Sequence, residues 1–430
     1  MQPLTVGRSR PRPVDRSADR RIALAAIAVS VTFLGAALAS LLLPPASRRD
    51  LWLPIHLALA GGASTAIAGI MPFFVAAFAA AQPANPRLRV AGLAGVGLGA
   101  AGVALGVIAA PASWVAPLAG LVYIAGIIVT AVATLRPLMR ALGPSRGIVT
   151  QAYLFALGSV TLGAVLGTLL LAGWAPVVEA WDRLRPAHAW LNLIGFVSLV
   201  TATTLLHFFP TVVGARIPRH RAAHLVVVGV GGGTILVAAG YFLAIDLLVQ
   251  AGALAAIIGA TALVVYAVRV WRSRARWTTD PGWHRFAIGG LASAIGWFVV
   301  GIAILGGRAV AFAAAPGGWS SDPAIAPLVA GWIGMAILAS ATHLVPAVGP
   351  GDQAAHARQR AILGTMAATR IIVIDAGVAA ITVAAAIGDP RLGAAGAVLL
   401  ALGLAGTALL LARAIGVGLA PATASPTPAA

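Results

Sequence analysis

The sequence predicts an all-α membrane protein, a polytopic bundle of about twelve transmembrane helices in three four-helix repeats. Three observations lead there. Of 430 residues, 60% are hydrophobic and only 9% are charged, where soluble domains carry about 25% charged residues. Apolar runs long enough to cross a bilayer recur along nearly the whole chain. A short motif returns at a fixed interval, "LLHFFPTVVG" at 205–214 and "ATHLVPAVGP" at 341–350.

The elements follow in order. The first 21 residues, "MQPLTVGRSRPRPVDRSADRR", hold six arginines and read as a basic cytoplasmic arm, 1–21. The apolar run behind them is too long for a signal-peptide core and lacks a small-residue cleavage site, so it is expected to stay as the first helix. Spans are expected at 22–43, 53–80, 89–110, 114–135, 148–173, 187–213, 222–244, 247–270, 285–307, 325–348, 366–387 and 391–415, a twelve-helix membrane domain over 22–415. The joints near Pro111 and Asp246 must be tight. The end, 416–430, closes on "PATASPTPAA" and reads as a disordered tail.

Arginine placement sets the orientation. With the N-terminus inside, the inner segments hold 23 arginines and the outer segments six: Arg48, Arg49, Arg183, Arg185, Arg308 and Arg391. That asymmetry follows the positive-inside rule and predicts a multi-pass protein of a bacterial inner membrane with both termini cytoplasmic. The formal charge of +18 would suit a nucleic acid. The arginines sit between spans, however, so the partner implied is the lipid bilayer. There is no cysteine, which excludes disulfides, thiolate metal sites and cysteine nucleophiles. Trp52, Trp114, Trp174 and Trp190 fall near expected outer ends and read as interface anchors. "GVGGG" at 229–233 has no phosphate-loop context and reads as close helix packing.

The returning motif extends to a repeat. Over 193–214 and 329–350, Gly195 meets Gly331, His207 meets His343, Pro210 meets Pro346 and Val212 meets Val348, at an offset of 136. A further 138 residues back from Pro210 lies Pro72 in "STAIAGIMPFFVAAF". These are the second, sixth and tenth spans, four apart each time. Repeats of this kind place sites at their interfaces in membrane folds.

Twelve spans in three arcs, with histidines on the second, sixth and tenth, resemble the haem–copper oxidase subunit I architecture. "HLALAGGASTAIAGIMPFF" (56–74) and "HAWLNLIGF" (188–196) are similar to the NnrS-like branch of bacterial membrane proteins. The resemblance implies binding of haem b or copper in nitric oxide, nitrite or copper metabolism, with a redox partner protein, in electron transfer or assembly rather than catalysis. The chain departs from the oxidases: the seventh span reads "GTILVAAGYFLA" with no histidine pair, and neither His188 nor His207 precedes Pro-Glu. These departures argue against oxygen reduction at a binuclear centre.

The candidate cofactor ligands are His56, His188, His207 and His343, with His56, His207 and His343 as metal ligands. Imidazole is the common protein ligand of such centres, and ionisable groups within a membrane are costly. The plainer alternative is interfacial placement, or capping of a carbonyl freed by a nearby proline. With the shared proline as a ruler, His56 and His207 differ in depth by roughly 20 Å and His56 and His188 by about 9 Å, so one four-histidine centre is not expected. His220, His224, His284 and His356 read as loop residues. Asp375, in "RIIVIDAGVAAI", is the acid placed deep in the membrane. It suits proton or cation coupling, or a neutral hydrogen-bonded carboxyl. Arg370 is expected to snorkel towards the inner face. Two rival functions stand beside the haem–copper one: a secondary transporter coupled through Asp375, and a membrane scaffold whose histidines are structural.

Overall fold

The computed structural model describes residues 17–109, 113–139, 147–218, 220–274 and 284–420. Most of the basic arm, the joint at Pro111 and the last ten residues of the expected tail lie outside these. Among the described residues, twelve helices are long and apolar enough to cross a membrane. They are α1 (Ser17–Ser40), α2 (Pro45–Phe78), α3 (Pro86–Ala109), α4 (Val115–Met139), α5 (Ile148–Leu171), α6 (Trp181–Val212), α7 (Arg221–Leu243), α8 (Asp246–Arg272), α9 (His284–Ala311), α10 (Asp322–Ala347), α11 (Ala367–Ile387) and α12 (Pro390–Leu419). The protein is a polytopic α-helical membrane protein.

Several boundaries differ from expectation. α1 begins at Ser17, inside the expected arm, and α12 runs to Leu419, so 416–419 are helical. Asp19 in that first turn, itself half-buried, forms an ion pair with the buried Arg89 of α3. α6 starts before 187, at Trp181, because the chain is already helical in the polar segment ahead of its apolar run; in α2 the one-turn helix Pro45–Arg48 is set off by Arg49 and Asp50 in the left-handed region, at φ 51° and 57°, and the continuous helix begins at Trp52, beside the expected 53.

The chain forms two compact units, Met1–Ser145 and Arg146–Ala430. In the first, α2 packs against α1, α3 and α4. In the second, α6 lies against α5 and α7, and α10 against α9, α11 and α12. Lipid gives helices no hydrophobic reason to associate, so close approach relies on small residues. "GVGGG" does this as expected: a Cβ on Gly229 would come within 2.7 Å of Gly259 Cα on α8, and one on Gly233 within 2.6 Å of the Gly252 carbonyl.

Four helices widen locally into π-helix: α2 at Leu57–Ala63, α6 at Trp190–Ser198, α7 at Val228–Gly232 and α10 at Ala326–Gly334. Such segments carry one extra residue in a turn and are frequent at functional sites. In α2 the Ser64 hydroxyl donates to the Leu59 carbonyl five residues back, at 2.9 Å, and accepts from the Tyr123 hydroxyl of α4 at 2.8 Å. Trp190 begins the α6 segment and is 0% exposed, so it is a core residue and not an interface anchor. Trp114 and Trp174 are exposed, in keeping with an interface role.

The interval of 136 recurs in the backbone. α5 and α9 begin 136 residues apart, at Ile148 and His284. So do the π segments Trp190–Ser198 and Ala326–Gly334, and the α-helical stretches after them, Leu199–Val212 and Met335–Val348. Beyond that point the register changes, because a short helix, Gln353–Gly364, precedes α11.

The prolines do not simply end helices. Pro72 lies within a helix that runs on to Phe78. Pro210 deprives the Leu206 carbonyl of its helical donor, and the Tyr266 hydroxyl of α8 supplies one at 2.6 Å. A tyrosine from a neighbouring helix thus caps the freed carbonyl. Arg370 does not snorkel. It is buried, donates to the carbonyls of Leu363 at 2.6 Å and Thr365 at 3.1 Å, and lies 4.2 Å over the Phe286 ring. It therefore closes the C-terminal end of the short helix.

Candidate functional site

His56 belongs to the first unit; His188, His207, His343 and Asp375 belong to the second. His56 is the last residue before the π segment of α2. Its Nδ1 lies 2.7 Å from the Trp52 carbonyl one turn earlier, and its ring stacks on Trp52 at 4.2 Å between centroids. A carbonyl can only accept, so Nδ1 is the donor of this contact.

His188 lies two residues before the π segment of α6 and is held in the same way. Its Nδ1 is 2.9 Å from the Gly163 carbonyl of α5. Asn192, one turn on, donates to the His188 carbonyl at 2.7 Å. Its amide fills the place that a side chain at residue 163 would take, and the ring lies beside Gly167. Two glycines of α5 thus make a shelf for His188 and Asn192. His56 and His188 precede their own π segments by one and two residues, and Pro72 and Pro210 by sixteen and twenty-two.

His207 and His188 sit nineteen residues apart on one helix, which separates them by roughly 28 Å, so they serve different places. His207 is half-buried near the end of α6. His343 is buried near the end of α10, and Phe208, the next residue after His207, meets its ring edge-on at 5.8 Å. The ring that pairs with His343 is His284, with centroids 5.7 Å apart. His284 is the first residue of α9 and is 2% exposed, so it is a core residue and not a loop residue. The sequence offered one signal for it: it stands at the start of an apolar run. His220 caps the N-terminus of α7, its Nδ1 accepting from the Ala222 amide at 2.9 Å. His224 is exposed, and His356 is half-buried on the short helix.

Asp375 is half-buried in α11 and turns towards α9. Its Oδ1 accepts from the Ser293 hydroxyl at 2.6 Å and from the Trp297 indole at 2.9 Å. The Trp297 ring lies against Gly331 in the π segment of α10, where a Cβ would come within 2.5 Å of the ring's Cγ. Sequence reasoning found the acid but neither donor, since a tryptophan in a membrane span reads as ordinary apolar filling.

Among the described residues no three His, Cys, Asp or Glu side chains converge as they would around a closed metal cage. No protein-family model matches this chain, and no curated protein matches it. Fold and composition together identify a polytopic α-helical membrane protein whose candidate groups are two carbonyl-anchored histidines, a buried histidine pair and one hydrogen-bonded intramembrane carboxyl.

Proposed function

We propose that the protein binds haem b, with His56 a ligand in the first unit and His188 a ligand in the second, each for a haem of its own unit, and serves electron transfer or assembly in nitric oxide, nitrite or copper metabolism, as the NnrS-like resemblance implies. The observation that supports this is the anchoring of both rings. A metal-ligating histidine usually donates its other ring N–H to a carbonyl or carboxylate, which fixes the tautomer and the ring direction. His56 and His188 each do so, through Trp52 and Gly163. Both also stand at the entry to a π segment. Histidines presented singly suit the axial positions of a haem better than copper held by several protein ligands. Bound haem would supply a one-electron redox centre, and a redox partner protein goes with that role. The chain's own part is to hold the two Nε2 atoms in place: Trp52 by stacking, Gly163 by its carbonyl, and Asn192 by bracing the turn that carries His188. The excess of arginine in the inner segments supports a cytoplasmic N-terminus in a bacterial inner membrane.

The absorption spectrum of the purified protein, made with haem supplied, tests the reading. A Soret band is expected, and it should be weakened or shifted in both His56→Ala and His188→Ala variants that still unfold at the wild-type temperature. A colourless protein containing copper by elemental analysis would transfer the role to copper. A colourless protein without copper would sink both.

One observation favours a second reading, a secondary transporter coupled through Asp375. An intramembrane acid with two donors aimed at one oxygen is built to hold a charge or a proton. A substrate-dependent rise in thermal stability that vanishes in Asp375→Asn, in a protein without metal, would support it. No substrate effect and no metal would leave the membrane scaffold.

A further inference from the structure

We infer that the face of α8 carrying Val265, Val268, Arg269 and Arg272 binds one anionic phospholipid, with its phosphate held by the two arginines and an acyl chain laid along the valines. The site stands apart from the haem and transporter readings and rests on neither.

The sequence sets the face. In "VVYAVRVWR", 264–272, Tyr266, Ala267 and Val270 are buried, and the Tyr266 hydroxyl is committed to the Leu206 carbonyl of α6. Val265, Val268, Arg269 and Arg272 stand at i, i+3, i+4 and i+7, one side of a helix. All four are exposed. A groove of about 530 Å³ lies against that side, and the described residues that line it are these four and Val264. Val265 is seven residues from Arg272, the last residue of the span, which is roughly 10 Å along the axis. The apolar wall is therefore the deeper part and the charge lies at its edge, the order in which a phospholipid presents chain and headgroup.

A neighbouring pair marks the headgroup level. Trp271 is exposed, and the Arg274 guanidinium lies 3.9 Å over its ring. Exposed tryptophans at the ends of spans sit at the membrane–water interface. Arg269 and Arg272 lie within two residues of Trp271, and their long stems carry the charge to phosphate depth.

Charge selects the lipid. Elsewhere in this unit arginines are answered by the protein itself: Arg370 closes a helix, Arg185 donates to the Trp319 carbonyl at 2.6 Å and Arg308 to the Ser320 carbonyl at 2.6 Å. Arg269 and Arg272 take part in no hydrogen bond or ion pair among the described residues. The chain has 29 basic residues against 11 acidic ones, so its own acids cannot neutralise them all. Residues three apart on a helix have Cβ atoms about 5–6 Å apart, close enough for two guanidinium forks to meet one phosphate. A zwitterionic lipid offers the same phosphate but brings a cation beside two arginines; an anionic lipid does not. A free phosphate ion would leave the valines uncovered, and an acidic soluble protein would not reach Val265 inside the span.

The test titrates the full chain in detergent with phosphatidylglycerol and, separately, with phosphatidylcholine of the same acyl chains, and counts bound lipid by native mass spectrometry. Wild type should hold one phosphatidylglycerol at least about tenfold more tightly than phosphatidylcholine. Arg269→Gln with Arg272→Gln should remove that preference. Arg358→Gln with Arg360→Gln takes the same charge from the short helix that follows α10 and should leave the preference intact. Val268→Trp fills the groove while both charges stay, and should weaken phosphatidylglycerol severalfold, which separates a seated lipid from loose attraction of headgroups. None of these side chains is buried, so all the variants should unfold at the wild-type temperature. Equal retention of the two lipids by wild type, equal loss from the two arginine pairs, or wild-type affinity in Val268→Trp would each overturn the assignment. Displacement of the lipid by excess inorganic phosphate would overturn it too, leaving a site for the ion alone.

Discussion

Gly163→Ala should damage the His188 shelf while leaving the rest of α5 intact. A methyl group at 163 would land on the Asn192 amide. That amide is not free to swing away without cost, because it donates to the His188 carbonyl at 2.7 Å. Overpacking of this kind costs about 1–3 kcal/mol, and the lost hydrogen bond adds about 0.6 kcal/mol in a membrane protein. A destabilisation of about 2 kcal/mol is therefore expected. The displaced helix turn also lengthens the 2.9 Å contact between His188 Nδ1 and the Gly163 carbonyl. Loss of such a support typically costs 10–100-fold in metal affinity. Gly158→Ala is the internal control, since a Cβ there meets no atom within 4 Å, and its effect should stay within about 0.5 kcal/mol. Denaturant unfolding in micelles gives the stability difference, and haem titration gives the affinity difference. If Gly163→Ala and Gly158→Ala behave alike in both measurements, the shelf does not position His188.

Arg370→Met keeps the apolar stem but leaves the Leu363 and Thr365 carbonyls without their donor; a loss of about 1–3 kcal/mol is expected, with faster hydrogen exchange across Gln353–Gly364, and unchanged exchange there would refute the capping role. Tyr266→Phe removes the donor to the Leu206 carbonyl beside Pro210 and should cost about 1 kcal/mol, whereas Tyr266→Phe in a Pro210→Ala background should cost much less, because the helix then serves its own carbonyl. A hydrophobic carbodiimide should modify Asp375, read as a mass adduct on its peptide. An adduct that persists in Asp375→Asn would show that another group had reacted. Single cysteines at Ala180 and Ser273 should be labelled from opposite sides of the membrane by an impermeant reagent. The chain has no cysteine of its own, and labelling of both from one side would end the twelve-span arrangement.

The helices were legible because bilayer thickness leaves its mark on composition: each span needs about 20 apolar residues, and twelve such stretches are visible by eye. The start of α6 was not, because helix already runs through "WDRLRPA", where apolar content falls, and neither was the separate turn Pro45–Arg48 at the start of α2. Asp375 stood out as a charge among apolar residues, yet its donors Ser293 and Trp297 lie 82 and 78 residues away in sequence, and tertiary packing alone joins them. His284 was set aside for the same reason. The prolines and the π segments are different rulers: from the end of the π segment to the proline is nine residues in α2, Ala63 to Pro72, and twelve in α6, Ser198 to Pro210. The π segments themselves have no periodicity signal, since a single extra residue in a uniformly apolar helix changes no hydrophobic pattern.

That extra residue acts as a phase shifter. Each α-helical residue turns the chain by about 100°, so one surplus residue absorbed in Trp190–Ser198 rotates everything before it by about that angle relative to everything after. His188 and His207 stand on either side of it, and their bearings around the α6 axis are set by the segment as well as by their spacing. Removing one residue between Leu191 and Val197 would let the helix heal into regular α geometry, shorten it by only one step, and swing His188 off the Gly163 carbonyl while His207 stayed in place. α10 carries the same shifter at the matching position, Ala326–Gly334, between Ala324 and His343. In both helices one end can thus be re-aimed without disturbing the other, so the groups at the two ends are free to change independently.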